Sequence, residues 1–463
     1  MRETSRRQLL VGLGAGAVTL PAIGLGADRA PITRSPSPLQ PDGRLTVNRE
    51  RAYRLMEEAG LDAIVGASEL NSQYLTNMRS IFADMGQPRT LIGVLPADPS
   101  KPLIAIVAAG FDIARHTQAD REWPEIVTYT RPAQLEAFAD GAAIDLETAV
   151  EALEMPRRGT DGDTGLTDKE RRWLAAANGR PTFNEATAEL ALRRVLRELG
   201  LQRGRIGVDD PAVSHALVSY GWASDTLVDA TNLFQKLRMV KSPVEIERMR
   251  TTAVLNADAA RAMFETLQPG MTYQDVEASF FAEVARRGGR PAMVAAGMVS
   301  GLRQGILVKH EPMLFDCVGR FNGYCGDFGR TVVLGTPSNK IEQRMQVLRK
   351  LVPATFELIR PGVSYSELRR KAAEIVHKMG VDFRVGVGPH SVGMQHTDDA
   401  ARDDLPFRVR ADTVLEAGMT ITLDMPTLEP GWGSTHMESL ILVREDGAEW
   451  LDPYDDPLHE VPA

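Results

Sequence analysis

Residues 313–331 read Met-Leu-Phe-Asp-Cys-Val-Gly-Arg-Phe-Asn-Gly-Tyr-Cys-Gly-Asp-Phe-Gly-Arg-Thr, which places aspartates at positions 316 and 327. The flanks are apolar and β-branched, while Gly319 to Gly323 is typical of a turn. The segment is therefore predicted to be a β-hairpin with one carboxylate on each strand. Two carboxylates that share a site are costly to desolvate unless a cation or a proton offsets their repulsion. The segment predicts either a water-facing hairpin or a site that holds a positive charge.

Three further polar residues follow downstream in or beside strand-like runs, where an unpaired charge would be expensive: His390, Asp424 and Glu438. Together with the hairpin they make a set of four carboxylates and one imidazole. Oxygen-rich sets with one imidazole suit manganese, iron, cobalt or zinc, and the absence of cysteine ligands argues against a structural zinc site. An acidic cleft without metal is the alternative interpretation.

The order of these residues resembles the pita-bread metallopeptidases, in particular the Xaa-Pro aminopeptidase and prolidase branch, with creatinase as a metal-free relative. The resemblance runs from about Arg44 to the end of the chain. The family's hairpin pattern is matched by Asp316, Asp327, Arg330 and Thr331. Its Gly-Met-x-x-Thr-x-Glu element is matched by Gly418, Met419, Thr422 and Asp424, and its Arg-x-Glu element by His436, Met437 and Glu438.

The resemblance implies a metal-dependent hydrolase, an Xaa-Pro aminopeptidase or dipeptidase that uses a metal-activated water to cleave the peptide bond before proline. It implies two divalent ions, with Mn²⁺ favoured over Co²⁺, Zn²⁺ or Fe²⁺, and a homodimer. The implied metal ligands are Asp316, Asp327, His390, Asp424 and Glu438, of which Asp327 and Glu438 would bridge. His396 and Asp424 are the implied catalytic residues, and His396 and His436 the implied substrate-binding residues.

The chain departs from the family pattern near the substrate. No histidine occurs in the window from Ala295 to Val299, Asp424 stands where glutamate is usual, and His436 replaces an arginine. Two other classes of function therefore stay open beside the peptidase. One is a small-molecule C–N hydrolase or lyase on the same scaffold, like creatinase, and the other is a non-catalytic binding protein.

The chain is predicted to contain four parts. Residues 1–27 combine Arg6-Arg7 with an apolar, Gly/Ala-rich stretch, which is the pattern of a twin-arginine export signal and predicts a periplasmic protein. Residues 28–43 are a Pro-rich linker. Residues 44–234 are an α/β creatinase-like domain, and residues 235–463 an α+β pita-bread domain.

An internal repeat supports the second domain. Leu267-Gln-Pro-Gly-Met-Thr-Tyr is echoed by Ile359-Arg-Pro-Gly-Val-Ser-Tyr, and each copy precedes strands that carry two of the acids. This indicates a duplicated helix-helix-hairpin unit with the metal site on a pseudo-twofold axis.

Local patterns predict several elements before the repeat. They include an amphipathic helix over Arg51 to Gly60 and strands that start at Asp62, Leu91 and Leu103. Further predictions are a surface loop from Met155 to Asp168, a passage between the domains over Asn232 to Pro243, and a helix start at Ser242 with a capping box.

Composition sets limits on partners. The chain has 463 residues with 43% hydrophobic content, enough for sizeable cores, and a net charge of -9, which argues against nucleic acid and against a basic membrane patch. A small peptide or small molecule is the expected substrate. The two cysteines, Cys317 and Cys325, are predicted to be free thiols because strand alternation points them to opposite faces.

Overall fold

The structure, a computed structural model, describes residues 44–108, 124–129, 167–168, 184–297, 305–405 and 407–462. The predicted export signal and linker, and all but the last two residues of the predicted Met155–Asp168 loop, lie outside the described residues. All of these described residues belong to a single structural unit. The predicted domain boundary near residue 234 stays a prediction.

The described residues form ten α-helices in chain order: α1 Arg49–Ala59, α2 Glu69–Thr76, α3 Ile81–Asp84, α4 Ala188–Glu198, α5 Pro211–Ser219, α6 Thr231–Met239, α7 Pro243–Phe264, α8 Tyr273–Arg286, α9 Asn339–Phe356 and α10 Tyr365–Lys378.

The strands that precede residue 230 are β1 Ala63–Gly66, β2 Leu91–Pro96, β3 Ile104–Ala108, β4 Glu125–Tyr129, β5 Asn184–Glu185, β6 Ile206–Val208 and β7 Leu227–Asp229. Those that follow are β8 Arg290–Gly297, β9 Met313–Phe321, β10 Tyr324–Cys325, β11 Phe328–Leu334, β12 Gly388–Ser391, β13 Thr420–Asp424, β14 Thr427–Glu429, β15 Gly433–Thr435, β16 Met437–Glu438, β17 Leu440–Arg444, β18 Gly447–Trp450 and β19 Leu458–Val461.

The N-terminal half is built on one seven-stranded mixed sheet in the order β5-β4-β3-β2-β1-β6-β7. The predicted helix near Arg51 is α1, and the predicted strands at Asp62, Leu91 and Leu103 are β1, β2 and β3. Helix α4 packs against β2 to β5, and its apolar residues join the strands in one buried cluster. The α/β prediction for this half is confirmed.

The C-terminal half repeats one unit twice. Helices α7 and α8 pack on the sheet that contains β8, β9 and β11, and helices α9 and α10 precede the sheet of β12, β13, β17 and β18. The two repeat motifs form the same turn, since Gly270 has φ of 91° and Gly362 of 89°, and Thr272 and Ser364 cap the following helices. The predicted duplication and the α+β class are confirmed.

One local prediction needs correction and one is confirmed. The hairpin turn is shorter than predicted: β9 continues through Gly319 to Phe321, and Asn322 and Gly323 make the turn with φ of 53° and 87°. Both values are positive, as a two-residue hairpin turn of type I′ requires. Most of the predicted passage from Asn232 to Pro243 is helix α6. The capping box at Ser242 and Glu245 is present.

Both cysteines are buried free thiols. Among the described residues, no helix combines the length and apolar character that a membrane crossing requires.

Candidate metal centre

Three of the predicted acids lie on one face of the six-stranded sheet. In this sheet Gly329 of β11 is directly opposite Asp316 of β9 on one side and Glu438 of β16 on the other. Directly opposite residues point to the same face, and so does Asp327, which is two residues from Gly329 along the chain. The register alone therefore brings Asp316, Asp327 and Glu438 together, and one oxygen of each lies within 4.8 Å of the others.

The four-stranded sheet contributes the opposite wall. His390 of β12 pairs with Thr422 of β13, and Gly388 pairs with Asp424. His390, Thr422 and Asp424 therefore share a face by the same alternation. The Thr422 hydroxyl donates a hydrogen bond of 3.0 Å to Glu438 Oε1, which joins this wall to the first sheet. Each repeat thus supplies one side of the candidate metal centre.

Three imidazoles border these carboxylates. His390 Nε2 lies 3.4 Å from Glu438 Oε1 and 3.7 Å from Asp327 Oδ2, and His396 Nε2 lies 3.2 Å from Asp327 Oδ2. His436 Nε2 lies 2.8 Å from Asp424 Oδ1. All seven residues predicted for ligand, catalytic or substrate roles are brought to one place, and their individual roles stay predictions.

The arrangement fits divalent cations. Asp316 Oδ1 and both carboxylate oxygens of Asp327 are buried, and no hydrogen bond to another described residue satisfies them. His396 Nε2 is likewise without a well-aligned hydrogen-bond donor or acceptor, although it is close to Asp327. Buried carboxylate oxygens with no donor are costly unless a cation accepts their lone pairs. Oxygen and imidazole donors are the ligand types that divalent metals take.

The pKa shifts also show a site that requires positive charge. Burial, and then the nearby Glu438 carboxylate, raises the pKa of Asp316 to about 6. The same two causes raise the pKa of Asp327 well above its usual value. Burial alone would raise the pKa of Glu438, but hydrogen bonds from His390 and His436 hold it below its usual value. The pKa values of both histidines are raised in turn, because the hydrogen bonds that they donate to acidic partners outweigh their burial.

The side chains of the site fall into a buried group at its base and a partly exposed group at its opening to solvent. The side chains of Asp327, His390 and Glu438 are at most 8% exposed, whereas those of His396 and Asp424 are 32% and 33% exposed. A molecule that arrives from solvent therefore meets His396 and Asp424 first. His436, predicted to bind substrate, is 3% exposed and contacts the acids instead.

Two further features shape the site, and sequence analysis assigned neither of them a role. Thr422 links the sheets, and the signal for it was its position two residues before Asp424 on a strand. The segment Ser391–Asp399, which carries His396, is held by the buried pair of Arg238 and Asp398, whose closest atoms are 2.6 Å apart. No local pattern joins residues 160 positions apart, so the sequence could not indicate this pair.

Comparison with known proteins agrees with this geometry. Residues 247–445 match the model of metallopeptidase family M24. This part of the chain is therefore similar to the M24 metallopeptidases. The match contains most of α7, all of α8 to α10 and all seven residues of the candidate metal centre.

Individual relatives extend the comparison beyond the M24-like region. The chain is 25% identical over 246 residues to an Xaa-Pro dipeptidase of Lactobacillus helveticus. The aligned residues cover 50% of this chain and 65% of the relative. The chain is 29% identical over 242 residues to an uncharacterized peptidase of Staphylococcus haemolyticus. That alignment covers 49% of this chain and 66% of the relative. The matches therefore span slightly less than two thirds of these relatives.

A solved Xaa-Pro dipeptidase from Bacillus anthracis superposes with a TM-score of 0.61 at 18% identity and covers 89% of this chain and 99% of that structure. At that identity the similarity establishes the fold. The predicted relationship to the pita-bread peptidases and the predicted fold class are thereby confirmed.

Proposed function

We propose that this chain is a metal-dependent peptidase that cleaves the bond before proline in short peptides. One observation carries the proposal. Within the M24-like region, the two repeats bring four carboxylates and three imidazoles together around buried oxygens that have no donor among the described residues. Relatives named Xaa-Pro dipeptidase support the substrate class over the creatinase-like alternative.

The residues would hold the metals as follows. Asp316, Asp327 and Glu438 supply oxygens from one sheet, and His390 and Asp424 supply a nitrogen and an oxygen from the other. When bound, divalent ions would polarise a peptide carbonyl and lower the pKa of a water molecule. We propose Mn²⁺ as the native metal, which the hard oxygen-rich donor set suits.

The two partly exposed side chains are proposed to act on the substrate. Asp424 is positioned at the opening to accept and return a proton, and His396 to hydrogen-bond the substrate or the tetrahedral intermediate. His436 contacts Asp424 from the buried side, so it acts on that carboxylate rather than on the substrate directly.

A panel of substrates tests the proposal. The purified full-length chain, loaded with Mn²⁺, is assayed with Xaa-Pro dipeptides, longer peptides with proline second, the reversed Pro-Xaa dipeptides, and creatine. We expect hydrolysis of one of the first two groups only. Asp327→Asn should lower kcat/KM by more than about 100-fold, because it removes a ligand rather than a supporting contact.

The matched control is Asp225→Asn, which makes the same chemical change at an exposed carboxylate outside the candidate metal centre. This variant should keep full activity. Hydrolysis of creatine without Xaa-Pro cleavage would support the small-molecule alternative. Binding of a peptide without turnover of any substrate would support the non-catalytic alternative. Full Xaa-Pro cleavage by metal-free protein would contradict the proposal.

We also propose that the enzyme is exported through the twin-arginine route and works as a periplasmic homodimer. The Arg6-Arg7 pair ahead of an apolar stretch supports export. Folded export would suit a protein whose site requires metal at its centre.

A further inference from the structure

We infer that His436 is itself a metal ligand, through Nε2, together with Asp424 and Glu438. The inference rests on the proposed metal-dependent function and goes beyond it, since the five ligands proposed above include a single imidazole. It concerns a position at which the chain departs from the arginine of the family pattern.

The first support is the tautomer of the ring. His436 Nδ1 lies 3.0 Å from the carbonyl oxygen of Phe315. A carbonyl oxygen only accepts hydrogen bonds, so Nδ1 must carry a proton and donate it. Nδ1 is therefore occupied, and Nε2 is the nitrogen that could bind a metal, in place of the proton that it donates to the Asp424 and Glu438 carboxylates in the metal-free chain. Metal-binding histidines have the same arrangement, with the other nitrogen donating to a carbonyl or a carboxylate.

The second support is the set of atoms that Nε2 faces. Nε2 lies 2.8 Å from Asp424 Oδ1 and 3.3 Å from Glu438 Oε2. These three residues form a group whose candidate ligand atoms all lie within 4.8 Å of one another. Neighbouring ligands about 2.1 Å from one ion lie roughly 3 Å apart at right angles, so the spacing suits shared coordination.

The third support is the space that surrounds the ring. A Cβ on Gly329 would lie 2.2 Å from His436 Cε1 and 2.8 Å from Glu438 Cβ. Only glycine at position 329 leaves room for an imidazole against the carboxylate row. The ring is thus held between Gly329, Phe315 and the acids and has a single orientation.

The fourth support is that two departures from the family pattern touch each other. Asp424 is one methylene shorter than the usual glutamate, and its carboxylate is in contact with the ring that replaces the usual arginine. The shorter Asp424 side chain would reach less far toward a bound cation than glutamate does. His436 Nε2 lies beside Asp424 Oδ1, so the two residues together could supply the contacts that one glutamate supplies in the family pattern.

Cobalt substitution tests the inference without relying on activity. The full-length chain is stripped of metal and loaded with Co²⁺, and its visible absorption, Co²⁺ affinity and strongly shifted imidazole N–H proton signals are recorded. The wild type should show a shifted N–H signal that exchanges slowly with water, because the Nδ1 proton of His436 is buried against Phe315.

His436→Gln should remove that signal, change the absorption spectrum and weaken Co²⁺ binding about 10–100-fold. The matched control His215→Gln alters an exposed histidine and should change none of these readouts. The double variant Asp424→Glu with His436→Arg restores the family pair and should recover Co²⁺ affinity while still lacking the signal.

Two results would overturn the inference. One is a Co²⁺ complex whose shifted signals and affinity are the same in the wild type and in His436→Gln. The other is a nitrogen NMR spectrum in which His436 keeps protons on both nitrogens after Co²⁺ is bound. In either case the proposed function would stand, provided that Asp327→Asn binds fewer Co²⁺ ions than the wild type. A wild type that binds no Co²⁺ would end both.

Discussion

At the scale of single residues, Glu245 shows how burial and capping compete. Its carboxylate is 1% exposed, accepts a hydrogen bond from the Ser242 backbone at 2.9 Å and another from the Tyr324 hydroxyl at 3.1 Å. Burial nevertheless raises its pKa from 4.5 to about 7, although the capping hydrogen bond and the nearby Lys241 act in the opposite direction. The capping box was predictable from sequence, but the raised pKa of its Glu245 carboxyl was not.

This shift predicts a pH dependence of stability. The folded chain holds the Glu245 proton more strongly than the unfolded chain, so the contribution is fully present below pH 4.5 and is lost as the pH rises through 7. Glu245→Gln lacks this titration. The free energy of unfolding of the wild type relative to the variant should fall by about 3 kcal/mol between these limits.

Urea denaturation of both metal-free proteins across this pH range provides the measurement. The carboxylates of the metal centre also titrate, but they are common to both proteins and cancel in the difference. A difference that stays constant with pH would show that folding does not raise the pKa of Glu245.

How far the site could be predicted from sequence depends on whether its residues are close together along the chain. Asp316 and Asp327 were predictable as a pair because strand alternation and a short turn connect them within one segment. The contact of His436 with Asp424 was not, because it depends on how β16 and β13 approach from different sheets. The shared face with Glu438 likewise follows from the pairing of β11 with β16, which no sequence period encodes.

At the scale of elements, the segment Ser391–Asp399 is fixed by charge rather than by regular pairing. The Arg238 guanidinium at the end of α6 donates to both oxygens of Asp398 and to the side chain of Asn71 on α2. The side chains of Arg238 and Asp398 are 2% and 0% exposed. His396 lies two residues away on the same segment, so this pair holds the segment that carries it.

Arg238→Met should destabilise the fold by about 3–5 kcal/mol, because it leaves the Asp398 carboxylate buried without its cation. Urea denaturation followed by tryptophan fluorescence measures the change. The matched control is Arg402→Met on the exposed pair with Asp404, where the expected change stays within about 0.5 kcal/mol. Equal effects of the two variants would contradict the role given to the buried pair.

The hairpin illustrates what could be read from sequence at this scale. Its strands and the pairing of its carboxylates followed from composition and alternation. The predicted turn is too long, because a glycine such as Gly319 is typical of turns but can also lie within a strand. In the structure Gly319 lies in β9, where its N–H donates to the Asn256 side chain at 2.7 Å and a Cβ would crowd Val284 and Phe321.

At the scale of the whole molecule, duplication explains why a site forms between the two sheets. Each repeat contributes one wall, and the N-terminal half is tied to the second repeat by Arg51, whose guanidinium makes two hydrogen bonds to Glu416, at 2.8 and 2.9 Å. A buried apolar cluster continues the connection, from Ala52 and Phe234 to Val392 and Leu440. The repeat in the sequence predicted this symmetry, whereas the tie between the halves required coordinates.

The proposed export of the full chain has its own test. Replacement of Arg6 and Arg7 by lysine keeps the charge but removes the twin-arginine pattern, so the protein should accumulate in the cytoplasm. Cell fractionation and immunoblotting measure the distribution. Unchanged periplasmic recovery would contradict the twin-arginine route, and replacement of Arg2 by lysine is the matched control.

The most direct test of the central claim is the number of divalent ions bound per chain, measured by elemental analysis of the purified wild type and Asp327→Asn. If acids from both repeats converge to hold cations, the wild type should bind two ions and the variant should lose at least one of them. A wild type that carries no ion at any accessible concentration, or a variant that binds the same number, would contradict the account.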